Sequence, residues 1–424
     1  MSIPLDRLYH YIDNIAKEIT DNIIIYRFYP HGSKKIENLE EISGPLSWKE
    51  MALRIPIYCH DQEPLNYKLY QNVTDADFIN IIKSMCIDRN LMRQPTIYNK
   101  VCLLHSEKRS TNLITYQAHQ CVGIYYWSHA LMSLDWFRFA RHITQKKHVQ
   151  KIFLIYNRAW SGTREYRLKF TDLLITSDLQ KKCHTSVNSV EPELGIHYDQ
   201  HQFNNPVWRP AHVLENYFSI NTSPSHYSAD FNITDYEDTD IEVVLETLFD
   251  DERLHLTEKS LRPIACAQPF ILAATYGSLE YLRSYGFQTF GDIWDENYDT
   301  IENSAERLIA ITDLMKTISC WTPEERIANL TKAKIIADYN RNHFFSKEFF
   351  NQITAELKTN LTIGLNQITS EFDPTPFVER WKKFLTHKEI KNYLESQHNL
   401  TSATLDQIDD VLQIAKDLQN KRKN

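Results

Sequence analysis

Residues 254–299 read LHLTEKSLRPIACAQPFILAATYGSLEYLRSYGFQTFGDIWDENYD, the most regularly patterned stretch of the chain. Thr257 is a typical N-cap and predicts a helix that begins at the next residue. The run from Pro269 to Ala273 predicts a buried strand, and the segment from Ser278 to Tyr285 predicts a helix that Gly286 ends. Helix, strand and helix in succession indicate an α/β domain.

Short apolar runs upstream of this stretch predict further strands, with helical patterns beside them. The predicted strands are Asn22–Phe28, Arg54–Cys59, Val101–His105, Val122–Trp127 and Lys151–Tyr156. The predicted helices are Asp6–Thr20, Asp135–His142 and Arg164–Leu174. Strands that alternate with helices favour mostly parallel sheets. Long loops are expected between residues 188 and 240, and the pattern after residue 301 is helical.

The chain has 424 residues, more than a single hydrophobic core ordinarily serves. This length predicts two α/β domains, 1–150 and 151–345, followed by a C-terminal helical segment, 346–424. Charged residues near the start, where a signal peptide is apolar, and the lack of an apolar run long enough for a membrane span predict a cytoplasmic protein. Seven Cys without a CxxC pair fit a reducing compartment. The net charge of −8 gives no support for nucleic-acid binding.

Polar clusters follow three of the predicted strands, where parallel sheets bind ligands. After the second strand come His60, Asp61 and Glu63, which suit general-base chemistry, with Asp61 the first choice and Glu63 the second. A capping turn is the alternative, with Asp61 as cap and Pro64 starting a helix.

Residues after two later strands are candidates for binding an acceptor. Trp127 ends the fourth strand, His129 comes shortly after it, and Lys108 follows the third strand. A hydrogen-bonded core histidine is the alternative for His129, and His105 carries the same ambiguity.

The opening stretch resembles the donor-binding half of GT-B-like glycosyltransferases. The resembling residues are Thr257-Glu258-Lys259, Arg262-Pro263, Gln268-Pro269-Phe270, Gly277-Ser278-Leu279, Leu282-Arg283, Gly286-Phe287 and Trp294 to Asp299, together with Tyr156-Asn157-Arg158. The clusters of the first half look like those of proteins encoded by tailed phages. The resemblance implies an α/β fold of two Rossmann-like domains facing a cleft, with C-terminal helices.

The resemblance also implies a donor site for a nucleotide-sugar such as a UDP-sugar. It assigns donor binding to Arg158, Glu258, Lys259, Arg262, Gly277 and Ser278. Glu258 accepts the ribose hydroxyls, Lys259 and Arg158 neutralise the diphosphate, and the amides at the helix start add an anion site. Ordinary electrostatics of a helix start is the alternative for Glu258 and Lys259. GT-B-like enzymes generally use cationic side chains, so no cofactor or obligatory metal is expected.

Other motifs in the sequence have ordinary structural interpretations. His197 and His201 have HxxxH spacing but stand in loop-like sequence, and the acidic run from Asp235 to Asp240 indicates a loop. Arg164 and Arg167 indicate a solvated helix face. The chain has no P-loop, GxGxxG or GxSxG motif, which removes the signatures of NTPases, dehydrogenases and hydrolases.

The leading hypothesis is a hexosyl- or pentosyltransferase whose acceptor is a hydroxymethylated pyrimidine, such as hydroxymethylcytosine, in double-stranded phage DNA in the host cytoplasm. It draws on a basic cluster interleaved with aromatic residues. The cluster is Lys108, Arg109, Arg138, Arg141, Lys146, Lys147 and Lys151, with Trp127, Trp136 and Phe137. The alternatives are a transferase for surface glycans, a non-catalytic nucleotide- or sugar-binding protein, and an assembly protein.

Overall fold

The computed structural model describes residues 2–29, 39–42, 44, 46–65, 96–118, 120–192, 194–220, 229–386 and 402–423. The chain divides into two compact units. The first-sheet unit comprises residues 3–128 and 353–424, and the second-sheet unit comprises residues 1–2 and 129–352. The division after Ser128 differs from the predicted boundary after residue 150. The C-terminal helices group with the first sheet instead of forming a separate segment.

Among the described residues, the first-sheet unit holds a five-stranded sheet in the order β2-β1-β3-β4-β5. Its strands are β1 (Ile23–Phe28), β2 (Leu39–Glu41), β3 (Ile55–Cys59), β4 (Val101–His105) and β5 (Cys121–Tyr125). Only β2 pairs antiparallel. The predicted strands of the first half are confirmed within one or two residues, and β2 was missed. Within the described ranges, the parallel strands of this sheet follow chain order without a reversal.

The helices of the described residues are α1 (Leu8–Lys17), α2 (Trp48–Ala52), α3 (Asn112–Ala118), α4 (Ser128–Trp136), α5 (Tyr166–Thr176), α6 (Ile233–Glu237), α7 (Glu258–Ala265), α8 (Ser278–Ser284), α9 (Ser304–Ser319), α10 (Pro323–Phe344), α11 (Lys347–Ser370), α12 (Thr375–Thr386) and α13 (Ser402–Lys423). Within this part of the chain, none combines the length and the apolarity needed to span a bilayer.

Helices on the first sheet bury their apolar faces as their spacing predicts. Leu8, Ile12 and Ile15 of α1 are buried in the core. At the other end of the chain, the Trp381 ring of α12 packs edge-to-face on Trp48 of α2 with centroids 5.3 Å apart. The C-terminal helices therefore complete the hydrophobic core of the first-sheet unit.

The second-sheet unit holds five strands that pair in parallel, in the order β10-β9-β6-β7-β8. They are β6 (Lys151–Asn157), β7 (Cys183–Val187), β8 (Ser219–Ile220), β9 (Thr239–Leu245) and β10 (Phe270–Ala273). From β6 the chain builds outward to β8 and then returns to add β9 and β10 on the other side. Strand order thus reverses between β6 and β9, and such a reversal opens a crevice at the carboxyl ends of the strands.

Two local predictions were wrong. The helix predicted at Asp135–His142 overlaps only the end of α4, which begins at Ser128 and ends at Trp136. The acidic run is no loop, since Asp235 lies in α6 and Asp240 in β9. Asp240 there accepts a 2.8 Å hydrogen bond from Nε of Arg326, which compensates its charge.

Candidate functional site

The carboxyl ends of β1 and β3 and the buried face of α1 border a small pocket in the first-sheet unit, with room for about one water molecule. Its lining residues are Tyr9, Phe28, Cys59, His60, Asp61, Gln62 and Glu63. All three residues predicted for general-base chemistry are among them. The pocket forms here because β3 is buried along its whole length and leaves its polar residues to the turn that follows.

Asp61 lies at the back of this pocket, where it is 1% exposed. Its Oδ1 accepts a 2.9 Å hydrogen bond from Oη of Tyr9, and its Oδ2 accepts one from Oη of Tyr126. Nε2 of Gln62 donates to the Tyr9 oxygen at 3.0 Å. The hydroxyl of Ser128 donates to the Asp61 carbonyl. Both carboxylate oxygens therefore accept from tyrosines, and the helix predicted to start at Pro64 falls on residues outside the described ranges.

Burial controls the protonation of the groups around Asp61. It raises the pKa of Tyr9 and of Tyr126 well above the usual range, and the negative charge of Asp61 adds to the shift. Both phenols are therefore neutral donors at every physiological pH. Burial likewise raises the pKa of the Cys59 thiol, which makes a thiolate nucleophile unfavourable.

The remaining first-half candidates contact other side chains of the protein. The His60 ring packs edge-to-face on Phe28, with centroids 5.4 Å apart. Lys108 Nζ lies 4.6 Å from the centroid of Tyr125 and 3.9 Å from Oε1 of Glu356, and burial lowers its pKa. Trp127 is 0% exposed and offers no ring surface to a ligand.

In the second-sheet unit, Arg158 directly follows β6, the strand beside the reversal. Its side chain is half-buried and has no ion-pair partner among the residues that the structure describes. Its carbonyl accepts a 2.7 Å hydrogen bond from Nδ2 of Asn188, which ties the turn to the loop after β7. Arg158 thus lies at the carboxyl end of the second sheet.

Arg167 is not the solvated charge that was predicted. It is 2% exposed, and its guanidinium donates to the carbonyls of Ala159 at 2.6 Å and Leu245 at 2.7 Å. Its Nη2 also donates to the carbonyl of Glu246 at 3.1 Å. Arg167 therefore binds together the carboxyl ends of β6 and β9, where backbone carbonyls no longer have strand partners.

Glu246, the first residue after β9, fixes the start of α7. It is 0% exposed, and its carboxylate accepts from Thr257 N at 2.9 Å, Thr257 Oγ1 at 2.8 Å, Ser260 N at 3.2 Å and Ser260 Oγ at 2.6 Å. Thr257 is the predicted N-cap, and its Oγ1 accepts from Lys259 N at 3.4 Å. These amides already have acceptors, so the predicted preformed anion site at this helix start was wrong.

Glu258 and Lys259 meet His129 at the same helix start. Nζ of Lys259 lies 2.6 Å from Oε1 of Glu258, and Nε2 of His129 lies 3.5 Å from Oε2. His255 packs edge-to-face on His129 with centroids 5.1 Å apart. Glu258 is only 5% exposed in this cluster. The structure thus brings together residues that were predicted for different ligands.

His129 is neutral in this cluster. Burial lowers its pKa to about 3, while the nearby Glu258 carboxylate acts in the opposite direction. A neutral imidazole against a carboxylate donates one hydrogen bond without adding charge. The charge balance of the cluster is therefore set by Glu258 and Lys259.

Gly277 and Ser278 have an internal partner in Asp299. Its carboxylate accepts from the amides of Ser278 and Leu279, both at 3.0 Å, and its carbonyl accepts from Gly277 N at 2.7 Å. Gly277 has φ +77°, a conformation that favours glycine. Burial raises the pKa of Asp299 to about 6. The amides of Gly277 and Ser278, the two residues predicted to bind a donor here, are therefore both occupied by Asp299.

Arg262 is part of the core of the second-sheet unit. Its Nη2 lies 2.5 Å from Oε1 of Glu242 in the middle of β9, and its guanidinium lies over the Tyr156 ring at 4.4 Å. Tyr236 Oη donates to the second Glu242 oxygen at 2.6 Å. The predicted donor-binding role does not fit a side chain that is buried in this network.

The predicted basic cluster is partly used for structure. Nζ of Lys147 donates 2.7 Å hydrogen bonds to the carbonyls of Tyr236 and Thr239 and to Oε1 of Gln268, at the amino end of β9. Lys151 donates to a carbonyl at 2.8 Å, and Arg138 lies 3.3 Å from Asp135. Phe137 is buried, while Arg141 and Lys146 lie exposed.

The two histidines with HxxxH spacing have separate partners. Nε2 of His197 lies 2.8 Å from Oε1 of Glu215, and Nε2 of His201 lies 3.0 Å from Oε1 of Glu165. Across the described ranges, no group of three or more His, Cys, Asp and Glu is arranged to hold a metal ion. Comparison of the sequence with family models finds no match, and no curated protein matches it.

Proposed function

We propose that the chain is a glycosyltransferase that moves a hexosyl or pentosyl group from a nucleotide-sugar to a hydroxyl acceptor. One observation carries the proposal: strand order in the second sheet reverses between β6 and β9, and Arg158 follows β6 while Glu258 and Lys259 follow β9. Ligands of parallel sheets bind at such reversals. The proposal includes the finer fold assignment, two Rossmann-like domains of the GT-B kind.

Side chains, not amides, hold the diphosphate in this proposal. Glu246 already accepts from the amides at the start of α7, which leaves Arg158 and Lys259 as the cations for the charge that grows on the leaving diphosphate. Lys259 now contacts Glu258 at 2.6 Å. When Lys259 turns to the diphosphate, Glu258 becomes available for the ribose hydroxyls.

Asp61 is the proposed general base, since it is a carboxylate at the back of a pocket that a hydroxyl group can enter. For the acceptor we propose a hydroxymethylated pyrimidine in double-stranded DNA, in a host cytoplasm. The exposed Arg141 and Lys146 support this choice, whereas the buried Trp127 and the engaged Lys147 do not. No catalytic metal is part of the proposal.

Two other functions remain candidates. A surface glycan is an acceptor with the same hydroxyl chemistry. A non-catalytic nucleotide- or sugar-binding protein is favoured by the burial of Asp61, whose carboxylate oxygens both accept from tyrosines. Transfer of a sugar distinguishes the enzymes from the binding protein.

Calorimetric titration with UDP, GDP and CDP tests the donor site. We expect one of them to bind, and Arg158→Ala and Lys259→Ala each to weaken it about tenfold or more, since each loses a charged contact. Lys332→Ala, an exposed residue of α10, is the matched charge control and should bind as the wild type does. Unchanged affinity in both site variants would remove the donor-site assignment.

A further inference from the structure

The turn that follows β6, residues 158–161, is held by side chains from two other parts of the second-sheet unit. From the loop after β7, Nδ2 of Asn188 donates to the carbonyl of Arg158 at 2.7 Å. From α5, Nη1 of Arg167 donates to the carbonyl of Ala159 at 2.6 Å. Because a peptide group is planar, a hydrogen bond to its carbonyl orients the whole group. The two bonds therefore fix the backbone on the carboxyl side of Arg158, while the residue before it pairs with β7.

The same turn holds the loop after β7 in return. Nε1 of Trp160 donates to the carbonyl of Asn188 at 2.8 Å, and the hydroxyl of Ser161 donates to Oε1 of Glu191 at 2.8 Å. Trp160 and Glu191 are both 0% exposed, and hydrogen bonds of buried groups are costly to break. Three bonds from side chains thus join the turns that follow two neighbouring strands, β6 and β7.

The side chain of Arg158 differs from the backbone that carries it. It is half-buried, and in the part of the chain that the structure describes its guanidinium pairs with no carboxylate. Two other arginines of this unit are engaged, because Arg167 donates to backbone carbonyls and Arg262 pairs with Glu242. A cation without a protein partner on a fixed backbone is preorganised to bind an anion.

We propose that Asn188 is a positioning residue for the diphosphate of the nucleotide-sugar and acts by holding the backbone of Arg158, an inference that rests on the proposed function. Without its Nδ2 donor, the Arg158 carbonyl loses its partner and the side chain of Arg158 has more orientations to choose from. Part of the binding free energy is then spent on ordering that side chain. In this role Asn188 does not contact the ligand, so its whole effect on affinity passes through Arg158.

The test is a double-mutant cycle in full-length protein. Wild type, Asn188→Ala, Arg158→Ala and the double variant are titrated calorimetrically with UDP, GDP and CDP. For the nucleotide that the wild type binds most tightly, Asn188→Ala should weaken binding about threefold to tenfold. In the Arg158→Ala background the same change should alter affinity by less than about 1.5-fold, because the group through which Asn188 acts is gone.

Asn340→Ala is the matched control for loss of stability. Nδ2 of Asn340 also donates to a backbone carbonyl, that of Gln288 at 2.8 Å, in the loop that follows α8 of the same unit. This variant should lower Tm and leave nucleotide affinity unchanged. Asn188→Ser shortens the side chain without adding charge and gives the same comparison should Asn188→Ala fail to fold.

The outcomes separate the positioning role from the donor site. Equal losses from Asn188→Ala in the wild-type and Arg158→Ala backgrounds would mean that Asn188 contacts the ligand itself. Equal losses of this kind, or no loss in the wild-type background, would overturn the positioning role and leave the donor site intact. If no nucleotide binds the wild type, or if Arg158→Ala binds as the wild type does, the donor site of the proposed function is overturned and the positioning role with it.

Discussion

Oη of Tyr9 lies 2.9 Å from Oδ1 of Asp61, and this contact joins the first helix to the turn after β3. Tyr126 binds the other carboxylate oxygen from the end of β5. A buried carboxylate that accepts from two neutral donors is well compensated, and loss of one partner is costly. The contact is therefore structural as well as central to the proposed chemistry.

Asp61→Asn should affect both stability and turnover. The new amide can accept from one tyrosine but presents an NH2 group near the other, so unfolding should be easier by about 1–3 kcal/mol. Turnover should fall ~10²–10⁴-fold with nucleotide affinity unchanged. Urea denaturation and initial rates check this, with Glu63→Gln on the same turn as the control. Wild-type rates in Asp61→Asn and a large loss in Glu63→Gln would make Glu63 the base.

Glu246→Gln should loosen the start of α7. The carboxylate accepts from both the amides and the hydroxyls of Thr257 and Ser260, and an amide side chain cannot accept from all four donors. We expect a loss of about 1–3 kcal/mol in the free energy of unfolding, measured by urea denaturation. The exposed Glu252→Gln should change it by less than about 0.5 kcal/mol. Equal stability of the two variants would contradict this role.

Arg262→Met should destabilise the protein without changing nucleotide affinity. The change leaves Glu242 buried without its cation, which costs about 3–5 kcal/mol. Replacing Glu242 by Gln in the same chain should recover much of that loss, because Tyr236 can still donate to the neutral side chain. Chemical denaturation and calorimetry check both parts. A nucleotide affinity that falls in a folded Arg262→Met variant would restore this residue to the donor site.

His129 should make stability sensitive to acid. Its folded pKa of about 3 lies below the ordinary 6.5, so the unfolded chain takes up the proton first as the pH falls. The stabilisation is complete above pH 6.5 and is lost between pH 6.5 and 3. The difference in unfolding free energy between wild type and His129→Gln should therefore change by about 1.4 kcal/mol per pH unit between about pH 6 and 4. Parallel pH profiles of the two proteins would contradict the assignment.

The sequence predicted strands from apolar runs and helix starts from capping residues. β3, β4, β6 and α7 lie within one residue of their predicted positions. β2 and β8 are short edge strands and have too few residues for a periodic signal. Sequence patterns could not predict the order of the strands, because that order depends on which strands pair across the sheet.

The sequence identified where the candidate residues stand along the chain, but not which side chains surround them. Asp61 was singled out because it follows a buried strand, and the same signal could have found Glu246, the first residue after β9. Tyr9 stands on the apolar face of α1. A tyrosine at such a position indicates only weakly that its hydroxyl bonds to a buried acceptor. Burial of Glu258 and Arg262 depends on His129 and Glu242, neither of which is a close neighbour in sequence.

The central claim is that this chain transfers a sugar. The most direct measurement offers the wild type each nucleotide-sugar with duplex DNA that contains hydroxymethylcytosine, unmodified DNA of the same sequence, and a mixed glycan, followed by mass analysis of nucleosides and glycans. The account predicts a hexose or pentose adduct on the hydroxymethylated base and none on unmodified DNA. An adduct on the glycan alone would contradict the DNA acceptor, and no adduct on any acceptor, from a protein that binds the nucleotide, would contradict the transferase itself.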